Sequence, residues 1–190
     1  MLGVTAQRGA GAAAGLLARR DAAGISLETR AAAVAEAAFA MALRFRAGGK
    51  LLTFGNGSAG TDAAHLAVEF MHPVIVGRPA LPAIALTNDI ATVTGVAGRD
   101  GFAEVYAHQL RALGRGTDIA LAVAARGDCP SIEAGLLTAR SLGLLTVLLT
   151  GSQGGDAEHV ICADSDDPAI VKEIHVTVYH LLWELVHVQL

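Results

Sequence analysis

Two kinds of apolar segment alternate along the chain. The first kind is a short run almost unbroken by polar side chains: Leu51–Phe54, Ala80–Thr87, Ile119–Ala125, Leu144–Thr150 and Val160–Ala163. The second is a longer stretch in which polar residues return at helical spacing: Asp62–Met71, Phe102–Leu113, Ser131–Ser141 and Ala169–Leu190. A strand that is apolar on both faces belongs in a sheet covered on both sides, and strand–helix alternation makes that sheet parallel. The pattern therefore predicts an α/β fold: a single three-layer α/β/α domain with a five-stranded parallel sheet. Punctuation agrees, with Pro130 in the first turn of one helix and Gly114 closing another.

Residues 1–48 stand apart. They read as largely helical, with an Ala-rich run from Leu27 to Arg46 that lacks internal Gly and Pro. Ser26 is the expected cap, and Gly48–Gly49 the stop. This extra N-terminal helix precedes the first strand and has no place in the sheet. Residues 1–48 are therefore expected to serve oligomer packing, and residues 49–190 to form the α/β domain.

Composition narrows the class. A chain of 190 residues suits one domain. It is 53% hydrophobic but only 4% aromatic, so Ala, Leu, Val and Ile must fill the core. The net charge of −4 offers no basic face for nucleic acid. Cys129 and Cys162 are far apart and form no metal-type pair; reduced thiols in a cytoplasmic protein are expected. Gly9–Ala18 is small and apolar but runs into Arg19, Arg20 and Asp21, a poor signal peptide. No run approaches the ~20 apolar residues of a membrane span.

Ligands of parallel sheets bind beyond the carboxyl ends of the strands. The loops there are Gly55–Gly60, Asn88–Asp89, Arg126–Cys129 and Gly151–Gly155. The segment FGNGSAGTDAAHLAVEF, Phe54–Phe70, concentrates the candidate chemistry. Its Gly55, Asn56, Gly57 and Ser58 form a turn that lets an anion approach backbone N–H groups at a helix start. Its His65 and Glu69 are spaced i, i+4, on one helix face. Asp62 favours the start of that helix through the dipole. His180 lies in the apolar closing helix with His175 and His187, which are read as structural or surface residues.

The order of a strand, a GNGS loop, an Asp-x-x-His-x-x-x-Glu helix, a PAIAL strand, a strand ending in TG and a KEIHVTVYHLLWELV helix resembles the SIS (sugar isomerase) family. Within it, the motifs resemble the phosphoheptose isomerase branch. The resemblance implies a cytoplasmic homotetramer with active sites between subunits. It implies conversion of sedoheptulose 7-phosphate to a heptose 7-phosphate, with Glu69 and His180 as the acid–base pair. Gly55, Asn56, Gly57, Ser58, Asp89 and Arg126 are the expected substrate contacts. Some members bind zinc, and the matched ligands here are His65, Glu69 and His180. His65 thus either ligates a metal or orients Glu69. The chemistry suits the residues: a carboxylate moves the carbon-bound proton, an imidazole titrates near neutrality, and zinc polarises a carbonyl.

Four positions depart from the pattern. Lys172 stands where the family's glutamine ligand is expected. Ala124, Ala125, Arg126, Gly127, Asp128 and Cys129 replace a hydroxyl-rich phosphate loop. Ala59 replaces a serine, beside Ser58, and Arg99 an acidic residue, beside Asp100. Arg126 offers a cationic clamp in place of the hydroxyls. Arg126 and the segment Val105–Gly114 also resemble the branch that binds the replication initiator DnaA. That resemblance implies a second reading, a non-catalytic SIS module that binds an effector sugar phosphate or a protein partner. A paralogous subunit in a hetero-oligomer is a further partner that would supply missing phosphate contacts.

Overall fold

The computed structural model describes residues 2–126, 129–151 and 154–190, with side chains from residue 9 onward. Gly127 and Asp128 of the Arg126–Cys129 loop, and Ser152 and Gln153 of the Gly151–Gly155 loop, lie outside the described residues. The order is α1 (Leu2–Glu28), α2 (Ala31–Arg46), β1 (Leu51–Gly55), α3 (Ser58–Met71), β2 (Ala83–Ala85), α4 (Ile90–Asp100), a 3-10 turn (Phe102–Glu104) and α5 (Val105–Leu113). It continues with β3 (Ile119–Ala124), α6 (Pro130–Ser141), β4 (Leu145–Thr150), β5 (His159–Cys162) and α7 (Pro168–Val188). The five strands form one parallel sheet in the order β2-β1-β3-β4-β5.

Strand alternation divides the core into two layers. Leu51, Ile119, Leu121, Val123, Val147 and Leu149 pack with buried residues of α2, α3 and α7. Leu52, Phe54, Ala120, Ala122 and Leu148 pack with those of α4, α5 and α6. The central strands β3 and β4 are buried along their whole length, as their unbroken apolar runs require. Each buried aliphatic side chain contributes about 1.5–3 kcal/mol relative to exposure.

The N-terminal region differs from its expected form. Ser26 lies inside α1 rather than capping a helix, and its carbonyl accepts from the Thr29 N–H and hydroxyl at 3.1 and 2.7 Å. The chain turns at Thr29–Arg30, and Arg30 pairs with Asp164 at 2.5 Å. Arg19 and Arg20 likewise pair with Asp167 and Glu173 at the start of α7. Of these long-range ion pairs, that of Arg30 lies at the turn itself, while Arg19 and Arg20 tie the body of α1 to the start of α7. These pairs were invisible in the local Ala-rich pattern. α2 buries Val34, Ala37, Ala38, Met41, Ala42 and Phe45, a helical stripe, in the core that α7 shares. It is thus part of the domain's own core. Over α1 the described side chains are mostly exposed, Leu16, Leu17 and Ile25 among them.

Other boundaries shift for local reasons. β2 keeps only Ala83–Ala85, since Pro82 has no N–H for the ladder and the Leu81 N–H turns back to the Phe70 carbonyl at 2.8 Å. α3 starts at Ser58, which places Asp62 in its second turn. α4 had no counterpart in the sequence reading. It contains Gly95 and Gly98 and buries only Val96, so its apolar periodicity is weak. Among the described residues, no helix is long and apolar enough to cross a membrane.

The connection from β1 runs outward to β2, and the chain then returns to β3 on the other side of β1. The carboxyl ends of β1 and β3 thus form the topological switch point, where parallel sheets open a crevice.

Candidate functional site

Two polar regions stand out, one along α3 and one at that crevice. The first lies on the seam between α3 and α7, which run side by side in the same direction. Successive contacts join Asp62 to Lys172, His65 to Tyr179, and Glu69 to Trp183. Asp62, His65 and Glu69 form one helical stripe, as i, i+3 and i+7 positions must.

His65 Nε2 lies 3.0 Å from Glu69 Oε1, and the His65 and His180 rings are 5.4 Å apart at 75°. One ligand atom from each of His65, Glu69 and His180 falls within 4.8 Å of the others. His180 Nδ1 lies 2.7 Å from the Val176 carbonyl. A carbonyl only accepts, so Nδ1 carries the proton of the neutral ring and Nε2 keeps a lone pair. Tyr179 Oη is 2.7 Å from His65 Nδ1. Burial, then the charges of Asp62 and Glu69, push the Tyr179 phenol up to about 12. The Trp183 indole donates to the Glu69 carbonyl at 2.8 Å and ties this turn of α3 to α7. Two imidazole nitrogens and a carboxylate are a donor set that suits zinc. With the His180 lone pair left over, the three residues fit such an ion.

Lys172 is absent from this cluster. Its ammonium is 2.5 Å from Asp62 Oδ1 and 3.1 Å from the Ser58 carbonyl. Asp62 retains only 7% side-chain exposure, so the lysine neutralises an otherwise buried carboxylate. His175 is buried, and burial lowers its pKa, which favours the neutral ring. His187 is also buried, between the Trp183 and Pro79 carbonyls.

The second region is the pair of loops after β1 and β3. At Gly55 a Cβ would lie 2.6 and 2.7 Å from the Ala59 and Val123 carbonyl oxygens, so only glycine fits. Gly57 has φ +56° and opens α3. Asn56 bolts the loops together: it accepts from the Tyr106 hydroxyl at 2.8 Å and donates to Ser131 Oγ at 2.8 Å and Cys129 Sγ at 3.0 Å. The Tyr106 hydroxyl also reaches the Gly55 carbonyl at 2.5 Å. Burial, then the Cys129 charge, push its phenol up to about 12. Burial acts to raise the Cys129 thiol, but hydrogen bonds from the Ser131 hydroxyl, the Ile132 N–H and the Asn56 amide together lower it.

Cavities of about 330 and 320 Å³ adjoin this bolt. The first is lined by Gly55, Asn56, Gly57, Thr87 and Asn88, the second by Asn56, Ala124, Arg126 and Cys129. Ser58 is exposed, and its carbonyl faces Lys172. The Asp89 carboxylate caps α4, accepting from the Ala91 and Thr92 N–H groups and the Thr92 hydroxyl. The Thr92 hydroxyl, then the Thr92 N–H, hold it below the usual carboxylate range. Arg99 pairs with adjacent Asp100 at 2.6 Å.

Thus the fold gathers His65, Glu69 and His180, and separately gathers Asn56, Cys129 and Arg126. The triad lines none of these cavities, which open on other sides of α3. Sequence reasoning missed Tyr179, Trp183 and the Asp62–Lys172 pair. The 62/65/69 spacing was a readable signal for Asp62; nothing local marked its partner 110 residues away.

A family model described as SIS domain matches residues 22–151. The phosphoheptose isomerase of Desulfovibrio desulfuricans is 41% identical over 155 residues, covering 79% of this chain and 73% of that protein. That of Roseiflexus sp. is 38% identical, covering 85% and 84%. Among solved structures, a phosphoheptose isomerase from Francisella tularensis superposes with a TM-score of 0.86 at 33% identity, covering 91% of this chain and 95% of that one. One from Neisseria gonorrhoeae gives 0.85 at 26%, covering 92% and 96%. The chain belongs to the SIS domain family and, within it, groups with the phosphoheptose isomerases.

Proposed function

We propose that this protein is a sugar-phosphate aldose–ketose isomerase that acts on sedoheptulose 7-phosphate through an enediol. The observation that carries the reading is the His65–Glu69–His180 cluster, with its 3.0 Å imidazole–carboxylate contact and a lone pair left on His180 Nε2. The Glu69 carboxylate takes the proton from the hydroxymethyl carbon next to the ketone and returns it to the former carbonyl carbon. His180 Nε2 accepts the proton that leaves one oxygen and gives it to the other, so the enediol neither gains nor loses charge overall. Zinc, where bound by His65, Glu69 and His180, would polarise the carbonyl.

The glycine turn Gly55–Ser58, Asp89 and Arg126 recognise the sugar phosphate in this reading. Arg126 supplies cationic character where hydroxyls are lacking, and α6 adds the N–H groups of its first turn. The triad and the loop cavities open on different sides of α3, which supports a site completed by a second copy in a homotetramer. A cytoplasmic location follows from the substrate class. The second reading, a non-catalytic module for an effector or the replication initiator, is disfavoured. The relatives carry isomerase names, and this chain keeps the carboxylate and imidazole that catalysis needs.

Turnover of sedoheptulose 7-phosphate by the purified chain, followed by NMR of the sugar with and without added zinc, tests the proposal. Formation of the aldose is expected. An intact oligomer that makes none under any metal condition would overturn it.

A further inference from the structure

We propose that Tyr179 is a positioning residue of the proton-transfer cluster. Its phenol anchors His65 through Nδ1 and so assigns Nε2 as the nitrogen that works against Glu69 and His180. The inference rests on the reading of that cluster as the reacting site, but its argument is a count of donors and acceptors.

A carboxylate only accepts. The 3.0 Å contact between Glu69 Oε1 and His65 Nε2 therefore puts the ring proton on Nε2. The neutral ring then has a bare Nδ1, which can only accept. Tyr179 Oη stands 2.7 Å from it, so the phenol donates. The opposite tautomer fails twice. It would set the Nε2 lone pair against the carboxylate, and it would leave the phenol hydrogen without this acceptor. Tyr179 is fully buried, so that hydrogen has no water to turn to. One arrangement satisfies every group.

Packing makes the anchor stiff. Tyr179 meets the His65 ring edge-on, at 5.4 Å and 79°, and lies 4.8 Å from the His180 ring. A residue of the α7 core thus sets the ring orientation of one histidine and stacks beside the other. A hydroxyl also accepts, so the same contact survives when Nε2 gives its lone pair to a cation and the proton moves to Nδ1.

The test is ¹⁵N NMR of the full-length chain, freed of divalent metal by chelator, at neutral pH. His65 is assigned by comparison with His65→Gln. In the wild type, correlations from the ring protons should place the proton on Nε2 alone. Tyr179→Phe keeps the ring volume and removes the donor; only the Glu69 contact then opposes the other tautomer, so a minor Nδ1–H population should appear beside the Nε2–H form. The substitution should also lower kcat about 10-fold with KM nearly unchanged, the range seen when partners behind a reacting histidine are lost. A wild-type proton on Nδ1 would overturn the inference, and so would a Tyr179→Phe protein with unaltered tautomers or unaltered kcat. If that variant fails to fold, the wild-type Nδ1 resonance decides, because a bare nitrogen that accepts from the phenol lies upfield of one with no donor. The spectrum needs no turnover, so an inactive wild type would count against the isomerase reading and not against this one.

Discussion

On the α3–α7 seam, each polar side chain springs from within a helix and finds its partner on a helix. Glu69 meets His65, His65 meets Tyr179, and Asp62 meets Lys172. On the loops after β1 and β3, the side chains serve the loops themselves. Asn56 is taken up by Tyr106, Ser131 and Cys129, and Asp89 by the first turn of α4. On the proposed reading, the seam therefore holds the reacting groups at fixed distances on rigid elements. The loops instead offer shape, glycine backbone and the first turns of helices. Proton transfer tolerates little displacement, whereas a phosphate can be held by many arrangements of donors. If the loop binds the phosphate as proposed, this difference accounts for a loop that carries Arg126 and Cys129 beside a seam that carries a carboxylate and two imidazoles.

Variants of the two regions should separate accordingly. Glu69→Gln should lower kcat by about 10³-fold, since it removes the carbon base. Its melting point should barely move, because Trp183 binds the backbone carbonyl of that residue. Equal activity of the two proteins would take Glu69 out of the chemistry. His180→Asn should cost about 10²-fold in kcat, with an oxygen-bound proton still able to move through water. A loss confined to KM would shift His180 to the binding side of the comparison.

On the loop side, Arg126→Ala should raise KM about 10-fold and leave kcat nearly intact, the effect of one charged hydrogen bond. Steady-state kinetics that show the reverse split would erase the distinction between the regions. Lys172→Met should touch stability more than chemistry. It strands the Asp62 carboxylate, and urea denaturation should show a loss of about 1–2 kcal/mol, discounted because the lysine is 41% exposed. An unchanged midpoint would mean that Asp62 finds water or another donor.

The smallest effect shows itself only at alkaline pH. The chain has two tyrosines, and both phenols are raised to about 12 in the fold. A raised pKa favours the protonated form in the folded state, so this contribution is complete below pH about 10 and is lost as pH climbs through about 12. Absorbance of phenolate near 295 nm should therefore rise about two pH units later in the native protein than in urea. Coincident curves would show that neither Tyr106 nor Tyr179 is held as described.

Much of the fold was legible because buried parallel strands must be apolar on both faces. Ile119–Ala124 and Leu145–Thr150 could hardly be anything else. α4 was not, since Gly95 and Gly98 dilute its pattern and it buries little; the Asp89 cap was its one local signal. The break at Thr29–Arg30 was hidden for another reason. Arg30 at the break reaches Asp164, and Arg19 and Arg20 earlier in α1 reach Asp167 and Glu173, all more than a hundred residues on. Of the site, His65 and Glu69 were readable because four residues is one helical turn. His180 was marked by its motif, but its distance to His65 had to come from packing.

The sequence by itself determined the sheet, the placing of the glycine turn at a strand end, and the pairing of His65 with Glu69. All three follow from short-range periodicity and backbone sterics. Only the tertiary structure decided that α7 lies along α3. That contact sends Lys172 to Asp62 instead of to the histidines, brings His180 to His65, and buries Tyr179 against His65 Nδ1. These pairings join residues more than a hundred positions apart, and no local preference encodes such a meeting; it exists only once the core has closed around the sheet.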